Sequence, residues 1–285
     1  MEPILIALFS AVMFGFNILM IKMGMHRKPY ALNSIITFST AALVMWIIVL
    51  LADNTMPSAK ALPFFVIAGM LAPGLSAILT FESFKKAGIS ITSSLIATAP
   101  FFSTILAIIF LGEEINAKIG MGTLLIVSGV IALSWFRPKS HIKLTDLLFP
   151  VIAALIIGTA SVISKFGLNI SNVPFSGIAI AATAGAITQL IFITARKKWG
   201  TIANNFHDMK YFLIAGVFVG FALASLFLAI SKGDLVVVFP IANTQTLFAI
   251  LFSWLFFREH DHITRHTLIG AVTIVLGATL VSLGA

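Results

Sequence analysis

The sequence at residues 15–24 reads GFNILMIKMG, and the sequence at residues 158–167 reads GTASVISKFG. Both stretches lie within apolar segments that are long enough to cross a bilayer, which requires about 20 residues. They carry glycine, lysine and glycine in the same register, at Gly15, Lys22 and Gly24 in the first and at Gly158, Lys165 and Gly167 in the second. This match predicts that the second half of the chain repeats the first.

Two further matches support the duplication. The fourth apolar segment ends in FLGE at residues 110–113, and the ninth ends in FFRE at residues 256–259. The fifth and tenth segments share two glycines at the same spacing, Gly122 and Gly129 in one and Gly270 and Gly277 in the other. Because the matches occur in the same order, we predict a first repeat over residues 1–138 and a second over residues 139–285.

The composition places the chain in a membrane. Only 10% of its residues are charged and 59% are hydrophobic, whereas soluble domains carry roughly 25% charged residues. An odd number of spans per repeat places the two halves in opposite orientations. We therefore predict an all-α integral membrane protein with ten transmembrane helices as two inverted five-helix repeats, at residues 3–23, 31–51, 62–83, 89–111, 118–136, 147–167, 175–195, 211–231, 235–257 and 264–284.

Residues of the first and fourth spans resemble the sequence pattern of EamA-type transporters, which belong to the drug/metabolite transporter superfamily. Residues 15–22 are similar to that family's tryptophan-glycine-x-asparagine…lysine opening, with Phe14 where many members have tryptophan. Pro100 and the sequence at 111–113 resemble its fourth-helix signature. The resemblance covers essentially the whole chain and implies a central cavity lined mainly by helices 1, 3, 4, 6, 8 and 9. It also implies export of amino acids, metabolites or drugs.

Three charged residues within the spans are candidates for substrate or ion binding, because ionisable groups in a membrane are costly and often functional. Lys22 and Lys165 either extend to the interface or line a cavity mouth that attracts an anionic or zwitterionic substrate. Glu82 either carries a proton or binds a cation, or it forms a salt bridge with Lys85 or Lys86.

Four uncharged polar residues are candidates for substrate binding: Asn17, Thr98, Asn243 and Gln245. Their amides and hydroxyls would bind a small polar solute if they converge from spans 1, 4 and 9. The alternative is hydrogen bonding between or within helices, which is the usual role of such groups in lipid. For Glu113 we favour a structural role, as a cap on the helix that follows it.

Other functional classes lack their sequence signatures. Cysteine is absent, which excludes thiol chemistry, and no phosphate-binding loop is present for ATP. The sequence REHDHITRH at residues 258–266 lacks an established metal-ligand pattern, so we expect neither metal nor cofactor. We expect a secondary transporter that works by alternating access and is not an enzyme. An intramembrane enzyme acting on lipid or peptide, or a non-transporting scaffold, is the alternative.

The orientation of the chain stays open. Of 18 lysines and arginines, fourteen fall on the odd-numbered connections and four on the even-numbered ones, which predicts both termini outside the cytoplasm. The family resemblance implies termini inside. We expect a small-molecule substrate and membrane lipid as partners, no nucleic acid, and a location in the plasma or inner membrane. The glycines of spans 5 and 10 favour close helix packing by those spans within the bundle, with a homodimer interface as the alternative.

Overall fold

The computed structural model of the chain describes residues 1–25, 34–52, 55–87, 92, 95–133, 144–197, 206–256 and 265–285. These residues form helices and short connections, without any β-strand among them. The helix α3 contains a π-helical segment at Met70–Ser76, and α9 has two parts. In chain order the helices are α1 Glu2–Met25, α2 Ser34–Ala52, α3 Leu62–Gly69 through Ala77–Lys86, α4 Ala99–Leu111, α5 Ala117–Leu133, α6 Leu144–Ile170, α7 Pro174–Ala195, α8 Phe206–Lys232, α9 Leu235–Ala242 and Gln245–Phe256, and α10 Arg265–Gly284.

Seven of the described helices are long and apolar enough to cross a membrane: α1, α2, α3, α6, α7, α8 and α9. The helices α4, α5 and α10 are apolar but shorter within the described residues. Large apolar side chains cover the outside, where Leu51 is 82% exposed and Leu283 is 66% exposed. Such a surface suits hydrocarbon, and a helix satisfies its own backbone there. The all-helical fold is confirmed, and the arrangement of ten inverted spans stays a prediction.

Pro73 accounts for the π-helical segment in α3. Proline has no N–H, and its ring crowds the carbonyl four residues earlier, so the regular helical ladder is interrupted. The side-chain amide of Gln189 in α7 donates a hydrogen bond to the carbonyl of Pro73 and joins α7 to this segment. The sequence prediction of one regular span missed this interruption.

The helices pack in pairs that correspond between the two halves. The helix α1 packs on α8 and α9, and α2 packs on α8. The equivalent helices of the second half make the equivalent pairs, with α6 on α3 and α4, and α7 on α3. The pairs α2–α7 and α5–α10 each join a helix to its own counterpart. A duplicated chain would be expected to pack in this way.

Glycines bring α5 and α10 into close contact. A Cβ at Gly122 would lie 2.6 Å from the carbonyl oxygen of Gly277, and a Cβ at Gly277 would lie 2.6 Å from that of Gly122. A Cβ at Gly129 would similarly lie 2.8 Å from the carbonyl oxygen of Gly270. Small residues allow two backbones to approach this closely. The close helix packing predicted from these glycines is present, and the structure shows that the partner of each span is the other.

Candidate functional site

Two helices are interrupted by tight turns that have the same hydrogen bonds. A turn at Thr98 separates the helical residues 95–96 from α4, and a turn at Thr244 separates the two parts of α9. The N–H and Oγ1 of Thr98 donate to the carbonyl of Leu95 at 3.1 and 2.6 Å. The N–H and Oγ1 of Thr244 donate to the carbonyl of Ile241 at 3.1 and 2.8 Å. A threonine hydroxyl that bonds to the local backbone competes with regular helix formation.

The two turns occupy equivalent positions in the repeats. Thr98 lies 15 residues before Glu113, and Thr244 lies 15 residues before Glu259, the glutamates that align the ends of spans 4 and 9. Thr244 is therefore the repeat counterpart of Thr98. Our sequence-based selection included the adjacent Asn243 and missed Thr244, although the overlay of the repeats would have identified it.

The helices that pack beside these turns, α1 and α6, are also repeat counterparts. A Cβ at Gly15 in α1 would lie 2.7 Å from the Cβ of Phe248 in α9, and a Cβ at Gly158 in α6 would lie 3.0 Å from the Cβ of Phe102 in α4. Each phenylalanine follows the threonine of its own turn by four residues. The glycines that align the repeats in sequence therefore allow α1 and α6 to approach the two turns closely.

A cavity of about 450 Å³ lies between these elements. Its wall includes residues of α1, α3, α4, α6, α8 and α9, as the family resemblance implies, and also of α2 and α7. This volume is within the range of small-molecule sites. Most of the described lining residues are apolar, and the polar ones are Lys22, Ser76, Thr80, Ser161, Ser164, Asn243, Gln245 and Thr246.

Three of the seven predicted site residues line this cavity: Lys22, Asn243 and Gln245. The Nζ of Lys22 donates a hydrogen bond of 2.8 Å to the Oγ of Ser253, which joins α1 to α9. The Nδ2 of Asn243 donates to the carbonyl of Phe239 at 3.1 Å. The structure thus brings together side chains that are far apart in sequence, and their contact with substrate stays a prediction.

The other four predicted residues are not among the described lining residues. Asn17 is buried, and its Nδ2 donates to the carbonyl of Ala215 at 2.9 Å, which joins α1 to α8. Glu82 is partly buried on α3 and has an interaction partner. Lys86, one of the partners considered for it, lies 4.0 Å from a carboxylate oxygen of Asp146. The remaining two are Thr98, in its turn, and Lys165.

Lys165 binds the end of a neighbouring helix. Its Nζ donates to the carbonyls of Ile230 and Gly233, at 2.7 and 2.8 Å. The last carbonyls of a helix have no partner within the helix and carry partial negative charge, so they attract a cation. The ammonium therefore links α6 to the end of α8.

Glu113 caps a helix other than the one we predicted. Gly112 adopts a left-handed conformation with φ 68° and ends α4, which places Glu113 directly beyond the helix. Its carboxylate accepts hydrogen bonds of 2.9 Å from the N–H groups of Leu235 and Val236. These are unpaired donors at the start of α9, so the cap binds the second repeat instead of the following helix, α5.

The described residues contain no group of three or more His, Asp or Glu side chains that could hold a metal ion. The sequence at 258–264, on which the absence of a metal site was argued, lies outside the described residues, as does Glu259. The expectations about metal and cofactor therefore stay as predictions.

The sequence matches the EamA-like transporter family over residues 1–135 and again over residues 144–283. The chain belongs to the EamA-like transporter family. The two matched ranges together cover most of the chain, and each contains one of the interrupted helices. The described residues contain seven apolar helices of spanning length, and this member of the family is a multi-pass membrane protein of the transporter type.

One solved structure, titled "Crystal structure of protein", is similar in fold, with a TM-score of 0.81 at 16% sequence identity. The alignment covers 99% of this chain and 96% of that chain. At this identity the likeness establishes the fold alone. No curated protein matches the sequence.

Proposed function

We propose that the protein is a secondary transporter that moves small metabolites by alternating access, with ten helices in two inverted five-helix repeats. The observation that carries this proposal is the cavity beside two repeat-related helix interruptions. Interrupted helices at a repeat interface are typical of transporter binding sites. The family match over both halves of the chain supports the same function.

The two repeat-related lysines differ in a way that suggests one closed end. The cavity lining includes Lys22 and also Ile21 beside it. In the second repeat it includes Ser164, the counterpart of Ile21, but Lys165 is not among the described lining residues. Because α6 packs mainly on α3 and α4 while α8 packs mainly on α1 and α2, the bonds of Lys165 join two helices that otherwise have few contacts. We take this link as the closed gate.

Two further links lie at the same end of the bundle. The carboxylate of Glu113, at the end of α4, binds the start of α9. Lys232, at the end of α8, pairs with Glu2 at the start of α1. Both links join the first half of the chain to the second, so they hold the two repeats together where Lys165 closes the cavity.

Alternation would exchange the roles of the two lysines. In the opposite state Lys165 would leave the end of α8, and Lys22 would leave Ser253 and bind the end of α3, which is the repeat counterpart of α8. This exchange follows from the inverted repeats, because each contact in one state has an equivalent in the other.

The finer features of this proposal rest on the family resemblance. They are export from the cell, a location in the plasma or inner membrane, and a small molecule and membrane lipid as the partners. An intramembrane enzyme would need acid–base or metal-binding groups collected in the cavity. Lys22 is the only ionisable side chain among the described lining residues, which favours transport.

The natural absence of cysteine permits a direct test. Ser164→Cys places one thiol in the cavity wall, and a membrane-impermeant maleimide is applied to proteoliposomes from one face at a time. We expect fast labelling from the Lys22 side and slow labelling from the Lys165 side. Equal rates from both faces would indicate a continuous pore, and no labelling from either face before denaturation would refute a water-accessible carrier cavity.

A further inference from the structure

The cavity wall combines a large apolar area with a small polar cluster. Aromatic and aliphatic side chains dominate the described lining residues, among them Phe14 of α1 and Phe227 of α8. The polar cluster lies at the interruption of α9, where Asn243, Gln245 and Thr246 all line the cavity. A ligand that fits this wall would be mostly apolar, with few polar groups.

This polar cluster has hydrogen-bonding capacity that the described residues leave unused. Within the described part of the chain, the side chains of Gln245 and Thr246 have no hydrogen-bonding partner, and neither does Thr80 of α3. Asn243 donates through its Nδ2 to Phe239 and retains its amide oxygen as an acceptor. These side chains are half-buried at the cavity wall, and a ligand that displaces water from a polar group must replace the hydrogen bonds of that water, so they are suited to pair with a ligand.

The charge of the lining distinguishes between anions and cations. Lys22 contributes an ammonium, held at the wall by its 2.8 Å hydrogen bond to Ser253. The described lining residues include no carboxylate, and Glu82, the candidate for cation binding, is not one of them. An ammonium held at the wall of a mostly apolar cavity attracts an anion and repels a cation.

The two polar regions are separated along one helix. Ser253, the partner of Lys22, lies eight residues after Gln245 in α9. At the rise of an α-helix this spacing corresponds to about 12 Å. An anionic group at Lys22 and a hydrogen-bonding group at Gln245 would therefore belong to opposite ends of one elongated molecule, with its apolar body between them.

We propose that the substrate is an apolar monocarboxylate without a positive charge, bound with its carboxylate at Lys22 and a remote hydrogen-bonding group at Gln245 and Asn243. This assignment rests on the transport function proposed above and narrows its substrate class. Amino acids, drug-like solutes and cations all fit that broader function. The ammonium of Lys22 favours a carboxylate over a cation, and the amides of Gln245 and Asn243 favour an uncharged hydrogen-bonding group at the other end of the molecule.

Three probes with the same ring system separate these classes by charge: indole-3-propanoate, an anion; tryptophan, a zwitterion; and tryptamine, a cation. The readout is the probe concentration that halves the maleimide labelling rate of Ser164→Cys in proteoliposomes. We expect indole-3-propanoate to protect at a concentration at least about tenfold lower than tryptamine, because a charge-assisted hydrogen bond contributes roughly one to two powers of ten in affinity.

Lys22→Gln in the same background should raise the protecting concentration of indole-3-propanoate by about 10- to 100-fold, since it removes that charge-assisted contact. Lys22→Arg, which keeps the charge, should retain most of the protection. Lys60→Gln is the matched control, because Lys60 is exposed in the connection before α3 and is not among the cavity-lining residues. It should leave the protecting concentration unchanged.

Three results would overturn the substrate assignment. They are protection by tryptamine at concentrations as low as those of indole-3-propanoate, an unchanged protecting concentration in Lys22→Gln, and normal labelling with no protection by any probe. A Ser164→Cys thiol that fails to react even without a probe would instead contradict the proposed carrier cavity.

Discussion

Replacing Lys165 with methionine should open the end of the cavity that we propose is closed. The ammonium of Lys165 donates hydrogen bonds of 2.7 and 2.8 Å to the carbonyls of Ile230 and Gly233. Methionine retains the apolar stem and has no donor. Hydrogen bonds with a charged partner contribute about 1.5–3 kcal/mol each. Near a water-accessible helix end the lower value applies, so the closed state should lose about 3 kcal/mol.

This loss corresponds to roughly a 150-fold shift toward the state that is open at the Lys165 end. The assay is the labelling rate of Ser164→Cys by an impermeant maleimide applied from that face. The rate should rise by about two orders of magnitude until opening no longer limits it.

The repeat counterpart provides the control for this prediction. Lys22→Met removes an equivalent ammonium, but one that donates to Ser253 at the other end of the cavity. It should not accelerate labelling from the Lys165 face. If Lys165→Met lowers the melting temperature while labelling from that face keeps its parent rate, the lysine stabilises the fold without acting as a gate, and the reasoning is refuted.

Three other substitutions test the packing and the cap. Gly122→Ala should lower the melting temperature, because overpacking costs about 1–3 kcal/mol of stability. Gly120→Ala should raise it slightly, because the nearest atom to the added Cβ would be 3.6 Å away. Equal effects of the two substitutions would contradict the close packing of α5 and α10. Asn17→Ala should lower the free energy of unfolding by about 1 kcal/mol, because one buried hydrogen bond is lost, and should leave probe protection of Ser164→Cys unchanged. Weaker protection would indicate that Asn17 belongs to the substrate site. Glu113→Gln should speed labelling of Ser164→Cys from the Lys165 face about tenfold, because one charge-assisted hydrogen bond is lost. Glu114→Gln, at an exposed position, should leave that rate unchanged. Matching rates in the two variants would argue against the cap.

The sequence predicts the helices well because their cause is local. An apolar run of about 20 residues directly indicates a helix that spans the bilayer. The shared positions of Lys22 and Lys165 indicate the duplication. Lys22, Asn243 and Gln245 were selected as polar groups within apolar spans, and the structure places all three in the cavity wall. The same criterion also selected Asn17, whose amide instead joins two helices.

The sequence does not predict the contacts that join distant segments. Glu113 lies close to α5 in sequence, yet its carboxylate binds the start of α9, because the helix packing brings that end to it. The partner of Lys165 is a pair of backbone carbonyls, which have no signature in the identity of a residue. The two lysines are equivalent in sequence, so the difference between them emerges only from the packed state.

The most direct test of alternating access is a pair of spin-label distances measured by pulsed electron resonance on the naturally cysteine-free chain. One pair, Asn169→Cys with Ser231→Cys, spans α6 and α8 at the end that we propose is closed. The other, Met23→Cys with Lys86→Cys, spans α1 and α3 at the opposite end. On addition of Lys165→Met, we predict that the first distance lengthens and the second shortens. If both distances lengthen, both shorten or neither changes, the result would contradict an exchange of gates between the two repeats.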